Sequence, residues 1–157
     1  MIPLARGMAV AALQCALVLT LAGKYSYDRE HLPRVWVKTA PFDPSLPIRG
    51  RYVRLRLEVD SPTGHILTWA TLSIQNQRLV AMPSTATTPA LLIEGPNHRI
   101  TLAEPVAFFI PERVPDPSFR QPGEELWVEV SVPHQGPPRP LRLGVKKDGV
   151  LTPLELR

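Results

Sequence analysis

The sequence predicts an all-β domain, a small antiparallel barrel or sandwich of roughly eight to ten short strands, preceded by one N-terminal transmembrane helix. Three observations carry this prediction. Residues 7–23 form an apolar run without a charge. Beyond that run, apolar and polar residues alternate at period two, and no window sustains a helical period. Finally, 19 prolines and 9 glycines punctuate a chain of 157 residues. That much proline excludes a helix bundle, because each interior proline removes a helix hydrogen bond and clashes with the preceding turn. The chain divides into an anchor or signal segment, 1–27, and one exported β-rich domain, 28–157, which is long enough for a single sizeable core.

The leading run reads GMAVAALQCALVLTLAG. A bilayer core about 30 Å thick takes roughly 20 apolar helical residues, with about 17 as the lower limit. One reading is a signal peptide with Thr20-Leu21-Ala22 as its cleavage site. The other, which we prefer, is an uncleaved anchor: the run is long for a signal core, and the interfacial aromatics Tyr25 and Tyr27 follow it directly. Cys15 lies inside the run behind Gln14, so it is a small apolar residue and not a lipidation site. A single cysteine excludes a disulfide framework and a cysteine-built zinc site, and it fits an oxidising compartment. Arg6 on one side and Lys24 and Arg29 on the other give only a weak positive-inside bias. Export of the long C-terminal part is the ordinary outcome. The expected location is the inner membrane, single-pass, with the C-terminal domain periplasmic.

The strands follow in order. Arg34–Thr39 places Val35 and Val37 on one face. In Arg51–Asp60, Val53, Leu55, Leu57 and Val59 alternate with Tyr52, Arg54, Arg56 and Glu58, the pattern of a half-buried strand with one wet face. The turn signal Ser61-Pro62-Thr63-Gly64 leads into a strand over 65–75, expected to pair antiparallel with the one before it. Ala90–Ile93 and Val106–Ile110 are continuous apolar runs, which predicts burial on both faces. Glu125–Val132 alternates again, with Leu126, Val128, Val130 and Val132 inward and Glu125, Trp127, Glu129 and Ser131 outward. Leu141, Leu143 and Val145 obey the same rule. Asp148-Gly149 is the best hairpin signal in the chain, since both residues tolerate the positive φ of a type I′ turn. The last strand, 150–156, carries Pro153, which places it at an edge or a bulge.

Catalytic and metal chemistry find little purchase. His31, His65, His98 and His134 are far apart and lack ligand spacing, and Asp43, Asp60, Asp116 and Asp148 each adjoin proline, glycine or serine, which is turn chemistry. There is no phosphate-cradling glycine loop and no nucleophile elbow. Ser45 stands before Gly50 and a strand, but Lys38, Lys146 and Lys147 offer no convincing base. No catalytic residue, metal ligand or cofactor is therefore assigned. The densest charge feature is Arg49, Arg51, Arg54 and Arg56, with Arg54 and Arg56 on the wet strand face. A net charge of +4 with a pI near 9.6 would permit nucleic-acid binding. Export argues against it, and favours pairing with Glu58, Glu129 or an anionic lipid surface. Trp36, Trp69 and Trp127 could supply a stacking platform, with Trp36 and Trp127 on nominally outward faces.

The segment APFDPSLPIRGRYVRLRLEV resembles the signature of the GDYXXLXY protein family, a PVDP stretch followed after a short spacer by RGDYVxLxY. Pro41, Asp43 and Pro44 match the first part; Arg49, Gly50, Tyr52 and Leu55 match the second. The lead-in VWVKT, the FFIPE segment Phe108–Glu112, GEELWVEVSV and PLRLGVKKDG are similar to further parts of that family. Arg51 stands where the family has aspartate, and Leu57 where it has tyrosine. The resemblance implies a membrane-anchored bacterial protein of unknown activity, an accessory to a multi-spanning membrane partner.

The functional expectation is a non-enzymatic, membrane-anchored periplasmic accessory or scaffolding protein that contacts an integral membrane partner or envelope assembly. Its contact surface would be Asp43, Arg49, Gly50, Arg51, Tyr52, Arg54 and Arg56, with no nucleic acid involved. Two alternatives come from other classes. One is a serine-type envelope hydrolase built on Ser45 or a histidine–carboxylate set. The other is a free-standing glycan- or lipid-binding module using the tryptophans, which a concave pocket lined by two of them would favour.

Overall fold

The computed structural model describes residues 2–41, 52–62, 69–84, 90–94 and 99–156. It divides the chain into two units, Met1–Leu32 and Pro33–Arg157.

The first unit is the helix α1, Ile2–His31. Its 30 residues would extend about 45 Å at 1.5 Å per residue, enough to cross the hydrocarbon of a bilayer. Side chains from Arg6 to Tyr27 are exposed, and those of residues 7–23 carry no charge. The Thr20 hydroxyl donates to the Ala16 carbonyl at 2.7 Å, so this polar group is satisfied within the helix. The last turn places Arg29 and His31 at the negative end of the helix dipole. There the His31 ring stacks on Tyr27 at 4.0 Å, and Pro33 follows to stop the helix. Such a helix is compatible with single-pass membrane anchoring.

The second unit is all-β. Its strands are β1 (Arg34–Pro41), β2 (Tyr52–Leu57), β3 (Trp69–Gln75), β4 (Arg78–Pro83), β5 (Ala90–Glu94), β6 (Ile100–Leu102), β7 (Val106–Phe109), β8 (Glu124–Ser131), β9 (Arg139–Lys147) and β10 (Val150–Pro153). They form two antiparallel sheets, ordered β10-β9-β8-β1-β2-β7 and β4-β3-β5-β6. The sheets do not close into a barrel; the arrangement is sandwich-like. The expected strand at 34–39 is β1, and its Val35 and Val37 are buried as the alternation required.

One core joins the sheets. Val53, Leu55 and Leu57 from β2, Val128 and Val130 from β8 and Leu143 from β9 meet Ala70, Leu79, Ala81, Leu92 and Leu102 from the smaller sheet. Two buried threonines are satisfied by backbone, Thr39 donating to the Leu126 carbonyl at 2.9 Å and Thr101 to that of Ile93 at 3.5 Å, whereas the buried hydroxyls of Thr71 and Ser73 on β3 have no hydrogen-bond partner among the described residues. Asp148 and Gly149 take φ of 50° and 83°, closing the β9–β10 hairpin as the sequence predicts. Pro153 lies on the outermost strand, where a missing N–H costs no ladder bond.

Four local expectations are corrected. The strand expected over 65–75, of which residues 65–68 lie outside the described residues, does not pair with β2 in its described part. Its described part, β3, pairs with β4 and β5, whereas β2 lies between β1 and β7. The reason lies just after β2: Glu58 N–H still donates to Lys38 of the large sheet, but Val59 N–H donates to Ile100, Asp60 N–H to Leu79, and Ala81 N–H back to Asp60, so the chain passes to the small sheet. The β3–β4 turn was not read from the sequence because its central pair is Asn76-Gln77, yet both take positive φ, 49° and 58°.

Second, β5 and β7 are not buried on both faces. Leu91 and Phe109 are exposed, because each sheet has only one core face and β7 is a terminal strand among the described residues. Third, Glu129 and Ser131 are buried although their positions face outward. Glu129 pairs in register with Trp36 and accepts a bond from Arg142, and those long side chains cover it. Fourth, β9 does not alternate cleanly. Glu129 faces Arg142 and Val130 faces Pro140, so Leu141 is an extra residue in a bulge beside a proline that has no N–H to give.

Candidate functional site

The outward face of the large sheet is built by alternation. Arg34, Trp36 and Lys38 of β1 point the same way, opposite Val35 and Val37 in the core. Register sets Trp36 against Glu129 and Lys38 against Trp127. On the far side of β8, Trp127 meets Gly144, Glu129 meets Arg142, and Glu125 meets Lys146. Two indoles and a mixed set of charges therefore share one surface.

Each indole is seated. Trp36 lies against the backbone of Gly144: a Cβ at that glycine would fall 2.9 Å from Trp36 Cζ3 and 3.2 Å from the Thr152 carbonyl. The Arg142 guanidinium sits 5.8 Å from the Trp36 ring centre, and its Nε donates to Glu129 at 2.7 Å. The Lys146 ammonium stands 4.7 Å over Trp127, whose indole N–H donates to Glu125 at 3.2 Å. Glu125 also receives a hydrogen bond from Lys38. That bond from Lys38 holds the Glu125 carboxyl below its ordinary range; burial opposes the shift, while the Trp127 N–H and the charges of Lys38 and Lys146 add to it. The Arg142 guanidinium is pushed up, chiefly by its bond to Glu129.

This surface is one wall of a cleft of about 750 Å³. The β3–β4 turn, Asn76-Gln77, with Arg78 after it, also lines the cleft, as do Glu58, Asp60 and Arg99. Every carboxylate of the cleft is matched to a cation: Glu58 to Arg99 at 2.7 Å, Asp60 to Arg78 at 3.1 Å, and Glu125 to Lys38. Sequence reading placed Trp36 and Trp127 outward but could not show that they share a cleft. That follows from β1 pairing with β8 across most of the chain length. Asn76, Gln77, Arg78 and Arg99 were missed because the turn that presents Asn76-Gln77 was itself unread.

Of the sequence-predicted contact residues, Asp43, Arg49, Gly50 and Arg51 lie outside the described residues, as does Ser45. Tyr52, Arg54 and Arg56 share the half-buried outer face of β2. There Tyr52 pairs with Phe109 of β7, their ring centres 6.0 Å apart and tilted by 59°, and Arg54 pairs with Ala107. Phe109 is 71% exposed and was not read as part of this surface. Glu58 and Glu129, the expected partners of the arginine cluster, accept bonds from Arg99 and Arg142. Trp69 is exposed next to Leu91 in the smaller sheet, and it does not line the cleft. Among the described residues no group of three or more His, Cys, Asp or Glu side chains is placed to hold a metal ion. His65 and His98 lie outside the described residues.

No family model matches the chain, and neither a curated protein nor a solved structure shows significant similarity to it.

Proposed function

We propose that this chain is a non-enzymatic accessory protein of the bacterial inner membrane, anchored by α1, with its β domain in the periplasm bound to an integral membrane partner. The observation that carries this reading is the outer face of β2 and β7. Phe109 stands 71% exposed on a strand that is terminal among the described residues, beside Tyr52, with Arg54 and Arg56 on the same face of the next strand. Aromatic and arginine side chains together are what protein interfaces concentrate at their centres. An exposed large aromatic on an edge strand is an aggregation hazard unless something covers it. The apolar helix supplies the membrane end of the argument, and the resemblance of Pro41–Leu57 to the GDYXXLXY signature agrees with it.

Site-specific photocrosslinking in cells tests the proposal. A photoreactive residue replacing Phe109 in the full-length chain is expected to trap one integral membrane protein, identified by mass spectrometry. The same residue replacing Val150, exposed on the opposite terminal strand, is expected to trap none. Equal yields at the two sites, or products with lipid alone, would overturn it.

A further inference from the structure

We propose that the cleft between the large sheet and the β3–β4 turn is a binding site for an acidic saccharide, a pyranose unit or short oligomer bearing a carboxylate. This is independent of the partner surface on β2 and β7.

Three features of the cleft converge. The first is charge. Five cationic side chains line it (Arg34, Lys38, Arg78, Arg99 and Lys146) against three anionic ones (Glu58, Asp60 and Glu125), a balance of +2. Since Arg99, Arg78 and Lys38 pair those carboxylates, the acids do not repel an incoming anion. Lys146 makes no salt bridge among the described residues, although its charge also acts on its register partner Glu125; its ammonium rests on the Trp127 face, in position to donate to a carboxylate. The second feature is the pair of indoles in the lining; Trp127 carries Lys146 on its ring and Trp36 packs on Gly144, and the apolar ring surface not taken by those contacts suits the C–H face of a sugar. The third is the turn. Asn76 and Gln77 project exposed amides with no side-chain hydrogen bond among the described residues, donors and acceptors suited to sugar hydroxyls.

The combination selects the ligand. A neutral sugar would leave Lys146 unused, and a simple anion would use neither the indoles nor the amides. Inorganic phosphate could use the same cations but neither the indoles nor the amides, so it should bind more weakly than an acidic sugar. The volume, about 750 Å³, lies within the span of ligand clefts, roughly 300–1,000 Å³.

Titration of the full-length chain in detergent micelles with trigalacturonate, followed by tryptophan emission, tests the assignment. Saturable binding is expected, weakening as salt rises. Neutral galactotriose should bind at least about tenfold more weakly, the scale of one charge-assisted hydrogen bond. Lys146→Gln should cost trigalacturonate a similar factor and leave galactotriose unchanged. Asn76→Asp keeps a residue that tolerates positive φ and adds a repelling charge, so it should weaken trigalacturonate binding with an unchanged melting temperature. Absence of saturation, equal affinity for the two sugars, indifference to both substitutions, or tighter binding of inorganic phosphate than of trigalacturonate would each overturn the proposal.

Discussion

The two ends of the large sheet's outer surface are constructed on opposite plans. Around β1, β8 and β9, large side chains are tied down: Trp36 against Gly144, Trp127 to Glu125, Glu129 under Arg142. Around β2 and β7, Phe109 projects into solvent with Tyr52 as its aromatic neighbour. A surface whose side chains already satisfy one another is organised before anything binds, and ordering it costs a ligand little. An exposed aromatic on a terminal strand gains most when a partner removes it from water. The first plan suits a small ligand, the second a macromolecule.

Four substitutions sharpen or break this contrast. The largest effect is expected at the core beneath both surfaces. Leu55→Ala removes a side chain that is wholly buried and should cost about 2–5 kcal/mol. A thermal or denaturant midpoint that hardly moves would show that the two surfaces do not rest on a common core. Next is Gly144→Ala. The added methyl meets the Trp36 ring and the Thr152 carbonyl, and overpacking of this kind costs about 1–3 kcal/mol. Near-UV circular dichroism should change along with stability, because the indole is displaced.

Glu125→Gln should be milder. The carboxylate and Lys38 are both partly exposed, so the pair is worth about 1 kcal/mol or less. Its pH dependence has a definite sign. The folded-state pKa is lowered, so the contribution is fully present above the unfolded value of about 4.3. It is lost as pH falls through the lowered folded value. The stability gap between native chain and variant should therefore close on acidification, as read from melting temperatures across a pH series. The smallest effect is expected at Phe109→Ser, within about 0.5 kcal/mol, since the ring is mostly in water. A loss several times larger would mean that Phe109 is a packing residue and that the contrast is wrong.

Legibility in the sequence followed how local the cause was. Val53, Leu55 and Leu57 declare their face because strand geometry alone makes neighbours alternate. Asp148-Gly149 declares its turn because the backbone angles need those residue types. Asn76-Gln77 makes the same kind of turn without glycine, and the β3–β4 pairing was hidden with it. Burial of Glu129 could not be read at all, since its cover comes from Trp36, far away in the chain, and from Arg142 on the next strand. The cleft was half legible: the outward tryptophans follow from alternation, whereas their company depends on which strands pair.

The three-residue passage Glu58–Asp60 carries a consequence for how this domain unfolds. Because Val59 and Asp60 place their backbone bonds on β6 and β4 while β2 remains within the large sheet, the smaller sheet is stitched into the larger one through main chain and not only through side-chain packing. Removing the smaller sheet would leave the main chain of Val59 and Asp60 without those partners, so the two sheets are expected to melt in a single transition, which coincident near- and far-UV circular dichroism curves would check.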